Sequence, residues 1–142
     1  MRPHERSAFL ERVQQAAASV AGVQHASLAS VTPVSGHRNV TTMRPPGSPV
    51  TDEGRDVYLN DVGPEWFASL GIRMVAGRDF SASDGAGQPL VVIVNMTFAT
   101  WYFGDENAIG RTVPCPAFDG QRIVTREALR PGACIAGPAL VS

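Results

Sequence analysis

The chain has 142 residues, 44% of them hydrophobic and 7% aromatic, a size and mixture that suit one domain, or one domain and a tail, around a modest core. The formal net charge is −1, so there is no basic surplus to neutralise phosphates and nucleic-acid binding has no electrostatic support. All 12 basic residues are arginine, and the lack of lysine excludes a P-loop and a Schiff-base mechanism. With many Ala, Gly, Pro and Val beside it, the arginine-only usage reads as the mark of a GC-rich genome rather than a recognition surface.

Residues 5–21 are predicted to form a helix, with Phe9, Val13, Ala16, Ala17 and Val20 at the spacing of one buried face and Gly22 as its stop. Residues 23–31 have strand character without clean alternation and end at Pro33. Asn39–Met43 reads as a short strand, Pro45–Pro49 as a loop, and residues 55–60 alternate polar and apolar as a half-buried strand should. Pro64 suits a first helical position, and Trp66, Phe67 and Leu70 make an apolar face before Gly71. Residues 72–75 read as a short strand.

The strongest element is residues 89–95, whose five consecutive branched apolar residues predict a central strand buried on both faces. Met96–Phe103 follows as a helix, with Phe98, Trp101 and Tyr102 packing inward. Residues 108–113 lead into a further strand. Beyond Pro114 the texture changes: residues 122–124 read as a short strand, with turns at 128–132 and at Gly137–Pro138. The order of elements predicts an α+β fold, a compact mixed sandwich with short helices packed on a small sheet.

Catalytic and metal-binding constellations do not assemble along the chain, and the expected catalytic, cofactor and metal residues are none. His4, His25 and His37 lie outside metal-ligand spacing, and each reads as a solvated or surface residue. Cys115 and Cys134 match no zinc template; a disulfide would need export, and two free thiols is the default. The acidic cluster Asp52, Glu53 and Asp56 reads as a solvated loop rather than a divalent-ion site, and residues 104–107 as a helix-ending turn rather than a calcium loop. Two glycosylation sequons begin at Asn39 and Asn95 and read as chance occurrences. The aromatic side chains of Trp66, Phe67, Phe98, Trp101 and Phe103 could line a ligand surface, but their helical spacing favours core packing. No run approaches the ~18 consecutive apolar residues of a membrane span, and the N-terminus lacks an apolar signal core, so no signal peptide or transmembrane segment is expected in the chain itself, which as written would stay in the cytoplasm.

Four segments, in order, carry a family resemblance. They are Leu10–Val13 with Val20–Leu28; Val34–Gly36; residues 60–67 with Leu70–Ile72 and Ala76–Phe80; and Val91–Asn95 with Phe98–Ala99, Tyr102–Phe103 and Ile109–Arg111. Together they resemble the MacB-like periplasmic core domain of ABC transporter permeases from about residue 9 to residue 113, which implies a partial core domain over residues 5–113, with residues 114–142 left as a tail whose origin the sequence does not assign. The resemblance implies a non-catalytic domain on the extracytoplasmic side of the cell membrane that couples transport-cycle motion to partners or substrates. It implies membrane helices, an ATPase subunit or domain and periplasmic adaptor proteins as partners, with no cofactor and no nucleic acid. Gly71, Gly77 and Gly110 match the family's turn glycines.

The valine-rich strand that the family carries after Val113 is missing, which predicts an unpaired edge beside residues 90–95, self-association through it and marginal stability. In its place residues 118–141 resemble a stretch of the hydantoinase/oxoprolinase A-type subunit. Two other readings therefore stand beside the first: a fragment or small partner of a hydantoinase-like hydrolase, and a stand-alone binding module using the groove between helices and sheet.

Overall fold

The computed structural model describes residues 3–84, 91–104, 108–113, 117–118, 121–122 and 134–140, with side chains placed for most of the residues up to Val113. In chain order the elements are α1 (Pro3–Ala18), β1 (Asn39–Met43), β2 (Arg55–Leu59), α2 (Trp66–Ser69), β3 (Val91–Asn95), α3 (Met96–Phe103), β4 (Thr112–Val113), β5 (Ala117–Phe118), β6 (Gln121–Arg122) and β7 (Cys134–Leu140). This is the expected α+β fold.

β1 and β2 form an antiparallel hairpin in which Thr41 faces Val57 and Met43 faces Arg55. The turn behind it needs a glycine. Gly54 has φ +79, and a Cβ there would lie 2.6 Å from the Met43 carbonyl oxygen. A three-stranded sheet has the order β3-β7-β4, with β3 and β7 parallel and β4 antiparallel to β7. The parallel pair needs a long crossover, and α3 lies within that connection.

α3 is bounded as its sequence dictates. The Asn95 side chain accepts the Phe98 N–H at 2.7 Å as the N-cap, and Gly104 in the left-handed region donates its N–H to the Thr100 carbonyl at 3.0 Å. The Asn95 side chain is thus engaged in capping. The helix buries Ala99 and Tyr102, and the core gathers on them. Met43, Tyr102 and Val113 form one buried cluster, flanked by Val57, Val92, Phe98, Trp101 and Phe103, while Ala99 and Ala108 form a second with Val94 and Met96 beside it. Met43 is therefore the link between the hairpin and the three-stranded sheet.

Several expectations are corrected. α1 ends at Ala18, and its apolar stripe is not buried: Phe9, Val13 and Val20 are exposed, whereas Leu10 and Gln14 are half-buried. Gln14 Nε2 donates to the Ala26 carbonyl at 2.8 Å, so it is the face carrying Gln14, not the apolar stripe, that is tied to the segment after the helix. Amphipathic spacing marks a stripe, but nothing in it supplies the neighbour that would cover it. Residues 23–31 form no strand; they contribute one bridge, Ala29 to Val62, tied down by the Asn60 side chain, which accepts from the Val31 N–H at 2.9 Å and donates to its carbonyl at 2.8 Å. Residues 72–75 hold a single bridging residue, Met74, and α2 is one turn starting at Trp66 rather than at Pro64.

The Gly137–Pro138 turn is also corrected, because both residues lie inside β7. The register slips there, Val92 facing Ala136 while Val94 faces Ala139, so the bulge absorbs an extra residue and with it the proline that cannot donate to a ladder. β3 is not the central, doubly buried strand expected: it stands first in the order β3-β7-β4 with Val91–Val94 only half-buried, and β7 pairs one of its edges, so the expected unpaired edge beside residues 90–95 holds for the other edge only, among the described residues. Cys115 and residues 123–124, 128–132 and 105–107 lie outside the described residues, as do the side chains of His4 and Cys134.

Candidate functional site

Between β2 and β3 runs an open groove of about 530 Å³, in the size range of ligand-binding clefts. One wall is the continuous run from Arg55 to Val62, the other the run from Val92 to Asn95. The lining continues past these runs to Met43 of β1 and Val113 of β4, both in the buried cluster, so the groove opens over the core that the hairpin and the three-stranded sheet share. β2 pairs only with β1, and β3 pairs only with β7 among the described residues.

Aromatic side chains close the groove. Trp66 and Phe67 reach it from α2, Phe98 and Trp101 from α3, and Phe80 from the loop after residues 72–75. Phe67 and Phe80 stand 6.4 Å apart between ring centroids; Phe98 packs edge-on to Trp101 at 5.7 Å and stacks on Tyr102 at 5.1 Å. The Arg55 guanidinium lies over the Trp101 ring, 5.4 Å from its centroid, and Asp56 lines the groove beside it, so both signs of charge meet at that corner. Asn60, Asp61, Asn95 and Thr97 add polar groups to the rim.

The α2 wall is held from below. Glu65 caps α2 with φ 66, a left-handed conformation that strains a non-glycine residue, and its N–H donates to Asp79 Oδ2 at 3.0 Å. Asp79 Oδ1 also accepts the Phe80 N–H at 2.7 Å, so one carboxylate positions both the α2 turn and a groove ring. Next to it, Arg78 makes a two-pronged contact with Asp84, both bonds 2.7 Å, and Asp84 also accepts the Ser81 N–H at 2.7 Å. The guanidinium bonds hold the Asp84 carboxyl down at about 2, against an ordinary 3.8. Burial pushes the Tyr102 phenol up from its ordinary 10.0.

The residues singled out for chemistry are scattered. His25 Nδ1 lies 3.5 Å from Glu65 Oε1 in an exposed contact, and His37 is exposed near the Ser35 carbonyl. Asp52 accepts the Gly54 N–H at 2.8 Å and Asp56 accepts the Thr42 hydroxyl at 3.3 Å, so these carboxylates serve the hairpin and its turn. Among the described residues no three His, Cys, Asp or Glu side chains gather as metal ligands. The aromatic residues divide: Phe98, Trp101 and Phe103 flank the core, and Phe98 and Trp101 also line the groove together with Trp66 and Phe67. Core packing was therefore an incomplete reading of them. Gly71, Gly77 and Gly110 all have positive φ, as turn glycines do. Phe80 and Asn60 were not singled out as lining residues, since neither lies at a spacing that points to a cleft formed by residues from six separate stretches of chain.

The fold is similar to that of a solved structure, the periplasmic region of MacB from Actinobacillus actinomycetemcomitans. The superposition has a TM-score of 0.53 at 13% sequence identity, covering 93% of this chain and 50% of that one. The fold is MacB-like. This chain spans half the length of that region. No protein-family profile matches the chain. No curated protein matches it either, and none of the comparisons returns a hydantoinase-like relative for residues 118–141. Among the described residues no helix is long and apolar enough to cross a membrane.

Proposed function

We propose that this chain is a non-catalytic, extracytoplasmic domain of an ABC transporter permease, coupling the movements of a transport cycle to contacts with partner proteins or substrates. The observation that supports this is the MacB-like fold over 93% of the chain, reached independently of the segment-by-segment resemblance of its sequence. An α+β unit in which Asp52, Asp79 and Asn95 are engaged in turns and caps suits a lever or docking surface. In this reading the intact protein brings membrane helices and an ATPase subunit or domain, and periplasmic adaptors are among its partners.

The test is accessibility in the native cell. Protease added to spheroplasts should digest the domain, detected with an antibody raised against this chain, while cytoplasmic markers survive. Protection of the domain until the membrane is lysed would overturn the assignment. The groove supports a second reading, a binding module that works without a transporter. Recovery of the domain in the soluble fraction, free of any membrane protein, would favour that reading over the first.

A further inference from the structure

We propose that the apolar stripe of α1 is a dimer contact, against which α1 of a second copy of this chain packs antiparallel about a twofold axis. This goes beyond the transporter assignment and does not depend on it. α1 has little to lean on. Leu10 and Gln14 are its only half-buried side chains among the described residues, while Phe9, Val13, Ala16 and Val20 are exposed. The two sets lie about 110° apart around the helix, so the Gln14 tie leaves the stripe open. A helix of 16 residues draws most of its stability from a packed apolar face, so this stripe calls for a cover.

The spacing defines the kind of cover. Phe9, Val13, Ala16 and Val20 follow one another by four, three and four residues, the alternation of the inner positions of a heptad. The helical turn carries on to Val20, because the Ser19 N–H donates to the Gln15 carbonyl at 3.0 Å and the Val20 N–H to the Ala17 carbonyl at 3.3 Å. Phe9, Val13 and Ala16 also border one shallow hollow, the shape that receives a side chain of a facing helix. The stripe is complementary to itself. Laid antiparallel with Val13 level with Ala16 of the other copy, it also sets Phe9 level with Val20, so every layer is apolar and each bulkier side chain meets a smaller one. Arg12, the charged side chain at the hollow, comes level with the neutral Ala17 of the other copy. Antiparallel helices also oppose their dipoles. A lipid surface fits less well, since Glu5 and Glu11 balance Arg6 and Arg12 and leave no cationic face for anionic headgroups.

The contact is one helix about 24 Å long, so the dimer belongs to the weak class. Sedimentation equilibrium of the whole chain from about 10 µM to about 1 mM should show monomer and dimer in exchange. Val13→Glu and Ala16→Arg should each weaken association about tenfold or more, because a charge is then buried without a partner. Val50→Arg, at another exposed position, should leave it unchanged. Mixing the Val13→Glu chain with the Ala16→Arg chain should restore association, since antiparallel packing brings the two new charges level. If either variant fails to fold by circular dichroism, hydrogen exchange on the unaltered chain decides the matter: protection of the α1 amides should rise with concentration. A chain that stays monomeric throughout, a dimer that both substitutions leave intact, a mixture that does not recover association, or α1 protection independent of concentration would overturn the proposal. So would an unaltered chain that remains monomeric yet binds vesicles of phosphatidylcholine and phosphatidylglycerol, because the cover would then be a lipid surface.

Discussion

Asp79 and Glu65, 14 residues apart in the chain, are joined by a 3.0 Å hydrogen bond from the Glu65 N–H to the Asp79 carboxylate, and Glu65 is held in the left-handed region by it. The bond offsets the strain of a side chain at φ 66. Glu65→Gly should therefore raise stability by up to about 1 kcal/mol, because glycine adopts this conformation freely. The exposed His25 contact it removes is worth less than that. Asp79→Ala should lower stability by about 1 kcal/mol, as loss of a helix cap does. Thermal melts of the two variants should move in opposite directions, and a shared direction would refute this account of the turn.

The Arg78–Asp84 pair makes the acid limb of stability. Its carboxyl titrates at about 2 in the folded chain against an ordinary 3.8, so its contribution is complete above pH ~4 and is lost as the pH falls towards 2. Asp84→Asn should cost about 1 kcal/mol at neutral pH, after allowance for solvent screening at the exposed Arg78, and should flatten the melting temperature between pH 4 and 2. Tyr102 acts at the other end. Its raised pKa gives a contribution present below pH ~10 and lost above it, so Tyr102→Phe should weaken the alkaline fall in melting temperature.

Two glycine substitutions separate close approach from backbone conformation. Gly104→Ala meets open space and has only the left-handed φ of 78 against it, about 1 kcal/mol. Gly54→Ala has φ 79 and would also set a Cβ 2.6 Å from the Met43 carbonyl, so it should cost at least about 2 kcal/mol. Urea melts that rank Gly54→Ala as the milder change would contradict the hairpin geometry.

Ending the chain at Val113 tests whether the last 29 residues (114–142) belong to the fold. The truncation deletes β7, the strand that pairs both β3 and β4 in the three-stranded sheet. A chain of residues 1–113 should lose its cooperative thermal transition by circular dichroism. A retained sharp transition would show that β7 adds little to the core.

How much was legible beforehand depends on the range of the forces involved. β1, β2, β3 and α3 were placed within about two residues, because each carries its own signal: alternation in 55–59, a branched apolar run in 91–95, and a glycine-led stop after 96–103. The groove was foreseen only as a space between helices and sheet. Its walls belong to strands that never pair with each other, so no local pattern announces it.

By itself the sequence determined the α+β class and the positions of the self-signalling elements. Only the tertiary structure decided that the apolar stripe of α1 stays exposed, that Gly137 and Pro138 sit in a bulged strand, and that residues of the hairpin, the three-stranded sheet, α2 and α3 line one groove. Period and capping are properties of neighbouring residues and can be read along the chain. Burial, strand order and an unfilled edge depend on which distant segments meet, and that is settled by the packing of the whole fold.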